Sequence, residues 1–231
     1  SLLLSIWPDA AKEKAKYGSF PLHILCWNKA PLDVVSALLN IWPDAVRQKA
    51  INGCTPLHNA CWNHAPLDVV SALLSVWPGA TEEKDKNGCT PLQLSCHHGA
   101  PFETTLLLLN IWLEEKNNRD SSNAMTWKEF ASNSKRKYTK NFFSYVSTIY
   151  DDKTNNPSPH KIMISFINCE WWKGAALVID SHPIVVKSIG LDTNVMADFL
   201  AMVGRCCRMT TLWKVICNEQ DLLGGVVECH D

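Results

Sequence analysis

Histidine, cysteine and clustered lysine are the residue types that most often carry chemistry, and this chain groups them suggestively. His23 and His58 are candidates for acid–base or metal work. Cys96-His97-His98 gathers three soft ligands, and Cys206-Cys207 precede Arg208, a charge that favours a thiolate. Lys135-Arg136-Lys137, with Lys140 nearby, has the composition of a phosphate contact or a nuclear-import signal. Each group also has a plainer reading, and the plainer reading is preferred. Successive helical residues point about 100° apart, so Cys96, His97 and His98 cannot all face one ion. Cys206 and Cys207 suit a buried helix position, and the basic run suits a solvated loop. The sequence holds no Cys-x-x-Cys pair, Gly-rich phosphate loop, zincin helix or nucleophile elbow, and Gly224-Gly225 stands isolated. No catalytic residue, metal ligand or cofactor is assigned.

The elements that hold these residues recur. Trp7, Trp42, Trp77 and Trp112 are spaced by 35 residues, and so are Cys26, Cys61 and Cys96. Residues 31–39 and 66–74 both read PLDVVSALL. A fixed period in this range signals stacked supersecondary units. The clearest unit opens at Asn52-Gly53, a pair suited to a tight reversal with positive φ. Thr55 is positioned to cap a helix that Pro56 begins. Pro66 opens a second helix, with Asp68 in its first turn where the dipole favours negative charge. The unit closes at Trp77-Pro78, since proline does not continue a helix. Leu67, Val70 and Leu74 form one apolar stripe of the second helix, and Val69, Leu73 and Val76 form another. Two stripes predict a helix pressed between neighbours on both sides. Leu38, Leu73 and Leu108 are then expected in one continuous buried row.

Thr55-Pro56-Leu57-His58, the pair Val69-Val70 and the pair Leu73-Leu74 together resemble the ankyrin repeat. The period is about two residues longer than the usual ~33. This long Trp-Pro variant is similar to ankyrin proteins common in algae. The resemblance covers residues 1–131 and is weaker beyond. It implies an α-helical solenoid of helix–turn–helix units with a shallow concave face. It also implies that His23 and His58 tie turns together by local hydrogen bonds, and that Cys26, Cys61 and Cys96 take a slot usually held by alanine. Phe20 replaces the capping threonine of the first complete unit, so a weaker cap is expected there. Gln93 replaces the histidine of the third unit, and Leu113 replaces the proline after Trp112. Residues 125–131 read as a decayed first helix with Thr126 as its cap.

The alignment of residues 1–10 with residues 36–45 puts the first residues of this sequence inside a second helix, a partial first repeat. Residues 132–160 are polar and read as a linker or insertion, within which residues 141–150 fit a helix or an extended segment equally well. Residues 161–231 recover helical periodicity as degenerate repeats. Residues 162–179 suit one helix or two, with His182 in the place of Trp42, and helices are expected over 195–207 and 210–218.

Composition narrows the function classes. Hydrophobic residues make up 46% and charged residues 19%, enough to bury a core. A net charge of −1 gives no overall attraction to nucleic acid or to an anionic membrane, and no apolar run reaches the ~20 residues of a membrane span. The repeat spacing of Cys26, Cys61 and Cys96, with no Cys-x-x-Cys pair among the ten cysteines, predicts reduced thiols and an intracellular, cytoplasmic or nuclear setting. The function expected is a non-catalytic protein-interaction module, monomeric alone, that binds a protein partner on the concave face. Trp27, Asn28, Trp62, Asn63, His97 and His98 are the candidate contacts. Trp27 and Trp62 suit partner contact and inter-repeat packing equally, whereas Trp42 and Trp77 suit packing over helix ends. Arg47, Lys49, Glu83, Lys84 and Lys86 are expected near the turn tips, tuning charge. The alternatives are a structural spacer or assembly element in a larger complex, and a substrate-selecting domain of a larger enzyme.

Overall fold

The computed structural model describes residues 8–113, 124–149 and 157–182, with the single positions 185, 199, 201 and 204. The expectations for Trp7 and the partial first repeat, for the helices over 195–207 and 210–218, for Cys206-Cys207-Arg208 and for Gly224-Gly225 lie outside the described residues. Among the described residues the regular structure is helical, with no strand. The chain divides into two compact units, residues 1–141 and residues 142–231.

Three helical pairs fill the first unit. They are α1 (Pro21–Trp27) with α2 (Leu32–Ile41), α3 (Pro56–Asn63) with α4 (Leu67–Val76), and α5 (Pro91–His98) with α6 (Phe102–Trp112). Each first helix begins at a proline after an extended residue: Phe20, Thr55 or Thr90. Proline is tolerated there because its missing N–H has no intrahelical partner to lose. Each first helix ends on a left-handed residue, Lys29 (φ 55°), His64 (φ 58°) or Gly99 (φ 74°). The alanine that follows folds back, Ala30, Ala65 and Ala100 donating to the carbonyls of Leu25, Ala60 and Ser95 at 2.9, 2.9 and 2.8 Å. These carbonyl-capped turns fix the angle at which each second helix leaves.

Pro66 sits at the N-cap, one residue ahead of α4, rather than inside its first turn, and Pro31 and Pro101 do the same. At the far end the Trp-Pro pairs break the helix as expected. Trp42 and Trp77 leave the helical region, and 3-10 turns run through Pro43–Arg47 and Pro78–Glu82. A residue before proline is pushed out of the α region. Leu113 carries no such constraint, and α6 accordingly runs through Trp112.

The core is a set of equivalent positions. Leu22, Leu57 and Leu92 are buried, as are Leu38, Leu73 and Leu108, and Cys26, Cys61 and Cys96. The two-stripe reading of α4 holds in its middle and fails at its ends. Val69, Val70, Leu73 and Leu74 are buried, but Leu67 is 44% exposed and Val76 is also exposed. Neighbouring helices cover only the central turns. In the third pair Ser95 and Thr105 stand where Ala60 and Val70 stand in the second, and their hydroxyls pair at 3.3 Å inside the core. Phe20 caps nothing, as expected, but it is buried edge-on against Trp42, ring centroids 5.3 Å apart.

α7 (Ala124–Asn133) packs beside α5, with Trp127 and Phe130 set edge-on to Trp112. Thr126 lies inside α7, two residues after its first described residue, rather than ahead of it. The stretch expected as linker or insertion holds α8 (Lys137–Ile149), so residues 141–149 are helical. The boundary between the two compact units falls within α8. Residues 162–179 form two helices, α9 (Pro159–Asn168) and α10 (Trp172–Ser181). Their turn repeats the geometry of the first unit. Glu170 is left-handed (φ 55°), Trp171 donates to the carbonyl of Phe166 at 2.8 Å, and His182 takes the extended backbone of Trp42 and Trp77. Phe142, Phe166 and Trp171 form an aromatic cluster in this unit.

This packing sets the cost of two kinds of substitution. Leu73→Ala, in the buried row, is expected to lower unfolding free energy by about 2–5 kcal/mol, and Leu67→Ala on the same helix by about 0.5 kcal/mol. Urea denaturation of the two variants checks the contrast. A Cβ on Gly174 would fall within the Trp171 ring, so Gly174→Ala is expected to cost about 1–3 kcal/mol and to lower the melting temperature.

Candidate functional site

The candidate contact residues sit where the first helices end. Trp27, Trp62 and His97 occupy equivalent positions, followed by Asn28, Asn63 and His98. Trp27 is 47% exposed and Trp62 is 38% exposed, yet their rings lie 6.2 Å apart. Trp62 stacks on His98 at 4.1 Å, and His98 contacts His97 at 5.9 Å. An aromatic row therefore crosses all three pairs, with Trp62 between Trp27 and His98 and each tryptophan still partly open to water. Asn28 is exposed at the C-cap of α1. Asn63 is half-buried, and its amide nitrogen is buried without a hydrogen-bond partner. The six residues are thus adjacent, but Asn28 and Asn63 do not add equally to the open surface.

Rigid turns hold this row in register. Ala50 and Cys54 close one turn, with Ala50 N–H donating to the Cys54 carbonyl at 3.0 Å; Asp85 and Cys89 close the next in the same way. Gly53 and Gly88 take φ of 79° there, the conformation the Asn-Gly pairs predict. Adjacent turns are joined by backbone hydrogen bonds: Ile51 N–H to the Tyr17 carbonyl, and Lys86 N–H to the Asn52 carbonyl, both 3.0 Å. At Gly53 an added Cβ would come 2.9 Å from the Lys86 nitrogen, so the next turn packs directly on it.

His23 and His58 secure the same joint. The Phe20 and Thr55 N–H groups donate to their Nδ1 atoms at 3.3 and 3.1 Å. Their Nε2–H groups donate to the carbonyls of Cys54 and Cys89, one repeat further on, at 3.0 and 3.1 Å. An Nδ1 that accepts and an Nε2 that donates define the neutral tautomer. The Thr55 hydroxyl lies 2.8 Å from His58 Nδ1 and does not accept from the helix backbone. Burial, the largest cause, holds both imidazoles below their ordinary pKa of 6.5. Gln93 replaces this histidine and reproduces half of its work. Its Oε1 accepts from Thr90 N–H at 2.8 Å, while its own N–H donates to the Thr90 hydroxyl. This is a reciprocal capping box.

The remaining chemical groups resolve as follows. Cys26, Cys54, Cys61, Cys89, Cys96 and Cys169 are free thiols. Burial pushes Cys26 up to about 12 and Cys96 up to about 11, far from thiolate reactivity. Cys96 is buried while His97 is exposed, so the Cys96-His97-His98 run does not converge. No group of three ligating side chains suited to a metal ion occurs among the described residues. The basic run closes the end of α5: Lys135 N–H donates to the Cys96 carbonyl at 3.0 Å, and Arg136 Nε–H to the Gly99 carbonyl at 2.7 Å. The turn-tip charges divide. Lys49 pairs with Glu83 at 2.6 Å, and Arg47 lies over the Trp77 ring at 4.9 Å, whereas Lys84 and Lys86 are exposed.

Three contributors were not singled out from the sequence. His64 donates from Nε2 to the His98 carbonyl at 3.1 Å, and Asn59 donates its amide to the His23 carbonyl at 3.2 Å, so both cross between repeats. Asp85 accepts from Asn87 and Cys89 N–H groups, both at 2.9 Å, and shapes its turn. The spacing of Asp85, Asn87 and Cys89 before a Thr-Pro pair is a turn signal that was available.

Residues 22–120 match the family model described as ankyrin repeats in three copies. No curated protein matches the chain. Residues 22–120 therefore carry ankyrin repeats, as the resemblance in the sequence implies.

The neutral histidines make stability depend on pH. Their folded pKa values lie below 6.5, so the unfolded chain binds more protons. Their contribution is present above pH ~6.5 and is lost as the pH falls through that value toward the lowered folded pKa. Melting temperature is expected to drop between about pH 7 and about pH 5. His58→Gln, which copies Gln93, is expected to reduce that slope by up to about 1.4 kcal/mol per pH unit. Thermal melts of both proteins across the range check it.

Proposed function

We propose that the protein binds a protein partner along the row of Trp27, Trp62, His97 and His98, with Asn28 and Asn63 at its margin, on the concave face of the ankyrin solenoid. Ankyrin repeats generally mediate protein–protein interactions, and the family is generally non-catalytic. The observation that carries the proposal is an aromatic row that stays partly exposed across three repeats while the equivalent core positions are fully buried. Tryptophan concentrates binding energy at interfaces because it covers much area at low entropic cost. Rings already in contact lose little freedom on binding. Histidines 23 and 58, the groups most suggestive of catalysis, are engaged on both nitrogens with backbone groups. No helix among the described residues is long and apolar enough to cross a membrane.

Affinity capture from the source cells with wild type and with the Trp27→Ala/Trp62→Ala double variant tests this. Proteins retained by the wild type are expected to fall at least ~30-fold with the variant, on the order of 2 kcal/mol or more for an interface anchor. The melting temperature of the variant is expected to change by only a few degrees. Undiminished capture, or a variant that unfolds, would assign the two tryptophans to packing instead.

A further inference from the structure

Two depressions flank the aromatic row, and they carry opposite charge. Beside Trp62 is a cavity of about 250 Å³, lined by Phe130, Leu94 and His97 together with the acidic residues Asp85 and Glu129, and by no lysine or arginine. Beside Trp27 is an open groove of about 640 Å³, walled by Tyr17, Ile24 and Ile51, with Lys16 and Lys86 at its edge and no acidic residue. The cavity falls below the ~300–1,000 Å³ typical of small-molecule sites, so it suits one long side chain rather than a cofactor.

Among the described residues the charges at both edges lack ionic partners. Asp85 is 8% exposed, and its Oδ1 is held by two backbone N–H groups. Neither Asp85 nor Glu129 lies within salt-bridge distance of a cation among the described residues, and Lys16 and Lys86 are likewise without an acidic partner there. Both carboxylates act on Cys89, whose thiol burial holds up first and these two charges raise further, which locates them around one point. The contrast with Lys49 and Glu83, which neutralise each other on the neighbouring turns, is direct. A buried carboxylate with no counter-charge favours a ligand that brings one.

We infer that the partner presents an extended segment whose charge changes sign along its length, with an arginine or lysine side chain in the cavity beside Trp62, apolar contact over the Trp27–Trp62 pair, and an aspartate or glutamate between Lys16 and Lys86. This rests on the function proposed above and names the partner's chemistry. The ring spacings of 6.2 and 4.1 Å along the row correspond to about three residues of extended chain. The opposite charges at the two ends fix the direction in which the segment lies.

The test uses the full chain and a random-peptide display library as the probe. Enriched peptides are synthesised with a fluorescent label, and their dissociation constants are measured by anisotropy. The expected peptides carry a basic and an acidic residue in one constant order around an apolar centre. Glu129→Gln and Asp85→Asn are each expected to weaken binding about tenfold, the scale of one hydrogen bond to a charged group. The amide oxygen introduced by Asp85→Asn keeps the acceptor that holds the turn, and Glu129 is exposed, so unchanged melting temperatures are expected for both. Replacing the basic residue of the peptide by glutamine should abolish the sensitivity to both substitutions. Peptides that lose affinity with Trp27→Ala and Trp62→Ala but ignore the charge variants, or that show no constant charge order, would overturn this inference and leave the proposed function standing. Peptides indifferent to both tryptophans, or a library with no enrichment, would overturn both.

Discussion

The joint between successive turns governs everything else in the first unit. A turn of five residues cannot satisfy its own outward backbone groups, and an unpaired buried amide or carbonyl costs as much as a lost hydrogen bond. Here the next repeat supplies the partner. Ile51 N–H reaches the Tyr17 carbonyl, Lys86 N–H reaches the Asn52 carbonyl, and the imidazoles of His23 and His58 reach the carbonyls of Cys54 and Cys89. Each histidine links a helix start to the following turn, so one side chain fixes both the tilt of its helix and the distance to its neighbour. The ladder must end somewhere. At Gln93 the reach to a further turn is replaced by a closed capping box, and α7 and the residues after it take over. Lys135 and Arg136 satisfy carbonyls at the end of α5 that a further first helix would otherwise cover.

This joint explains why the aromatic row exists at all. Because turns and first helices are locked at one spacing, side chains at the same position in successive helices arrive within ring-contact distance. Trp27 meets Trp62, and Trp62 meets His98. Buried leucines and the histidine bonds hold the same helices, so the rings rest on a frame that other contacts also support. On the function proposed above, their exposed faces would meet another molecule at little entropic cost. The frame also separates roles among identical residue types. Trp42 is packed edge-on against Phe20 and Trp77 is covered by Arg47, although they resemble Trp27 and Trp62 in spacing.

Much of the frame was legible because it is written in residues with narrow backbone choices. Asn-Gly gives the turns, Thr-Pro starts the first helices, and Trp-Pro stops the second ones. What escaped was whatever depends on a neighbour rather than on the local chain. His64 takes a left-handed conformation that glycine holds at position 99, and it does so while donating to the His98 carbonyl, a contact no local pattern announces. Leu67 and Val76 match their apolar stripes but lie beyond the reach of the adjacent helices. Residues 141–149 could be helix or strand by composition, and α8 resolves them by burying Phe142, Phe143 and Val146 along one side. The candidate contacts were located by repeat geometry, but their ring-to-ring contacts and the charges beside them were not, since these arise only when residues 35 positions apart are brought together.

The repeats also separate what the fold needs from what it leaves free. Inside, equivalent positions barely change: leucine at 22, 57 and 92, leucine at 38, 73 and 108, cysteine at 26, 61 and 96. A volume change there would disturb two interfaces at once, because each helix is packed on both sides. On the face formed by the ends of the first helices the same comparison gives Trp27, Trp62 and His97, then Asn28, Asn63 and His98. Stacking requires the first set and is indifferent to most of the second. Chemical variety can therefore accumulate on that face without loss of register, and a surface with an acidic cavity at one end and a basic groove at the other is the kind of asymmetry that identical repeats cannot make. The positions that break the 35-residue rule while leaving the core intact are the ones to which the proposed function assigns recognition.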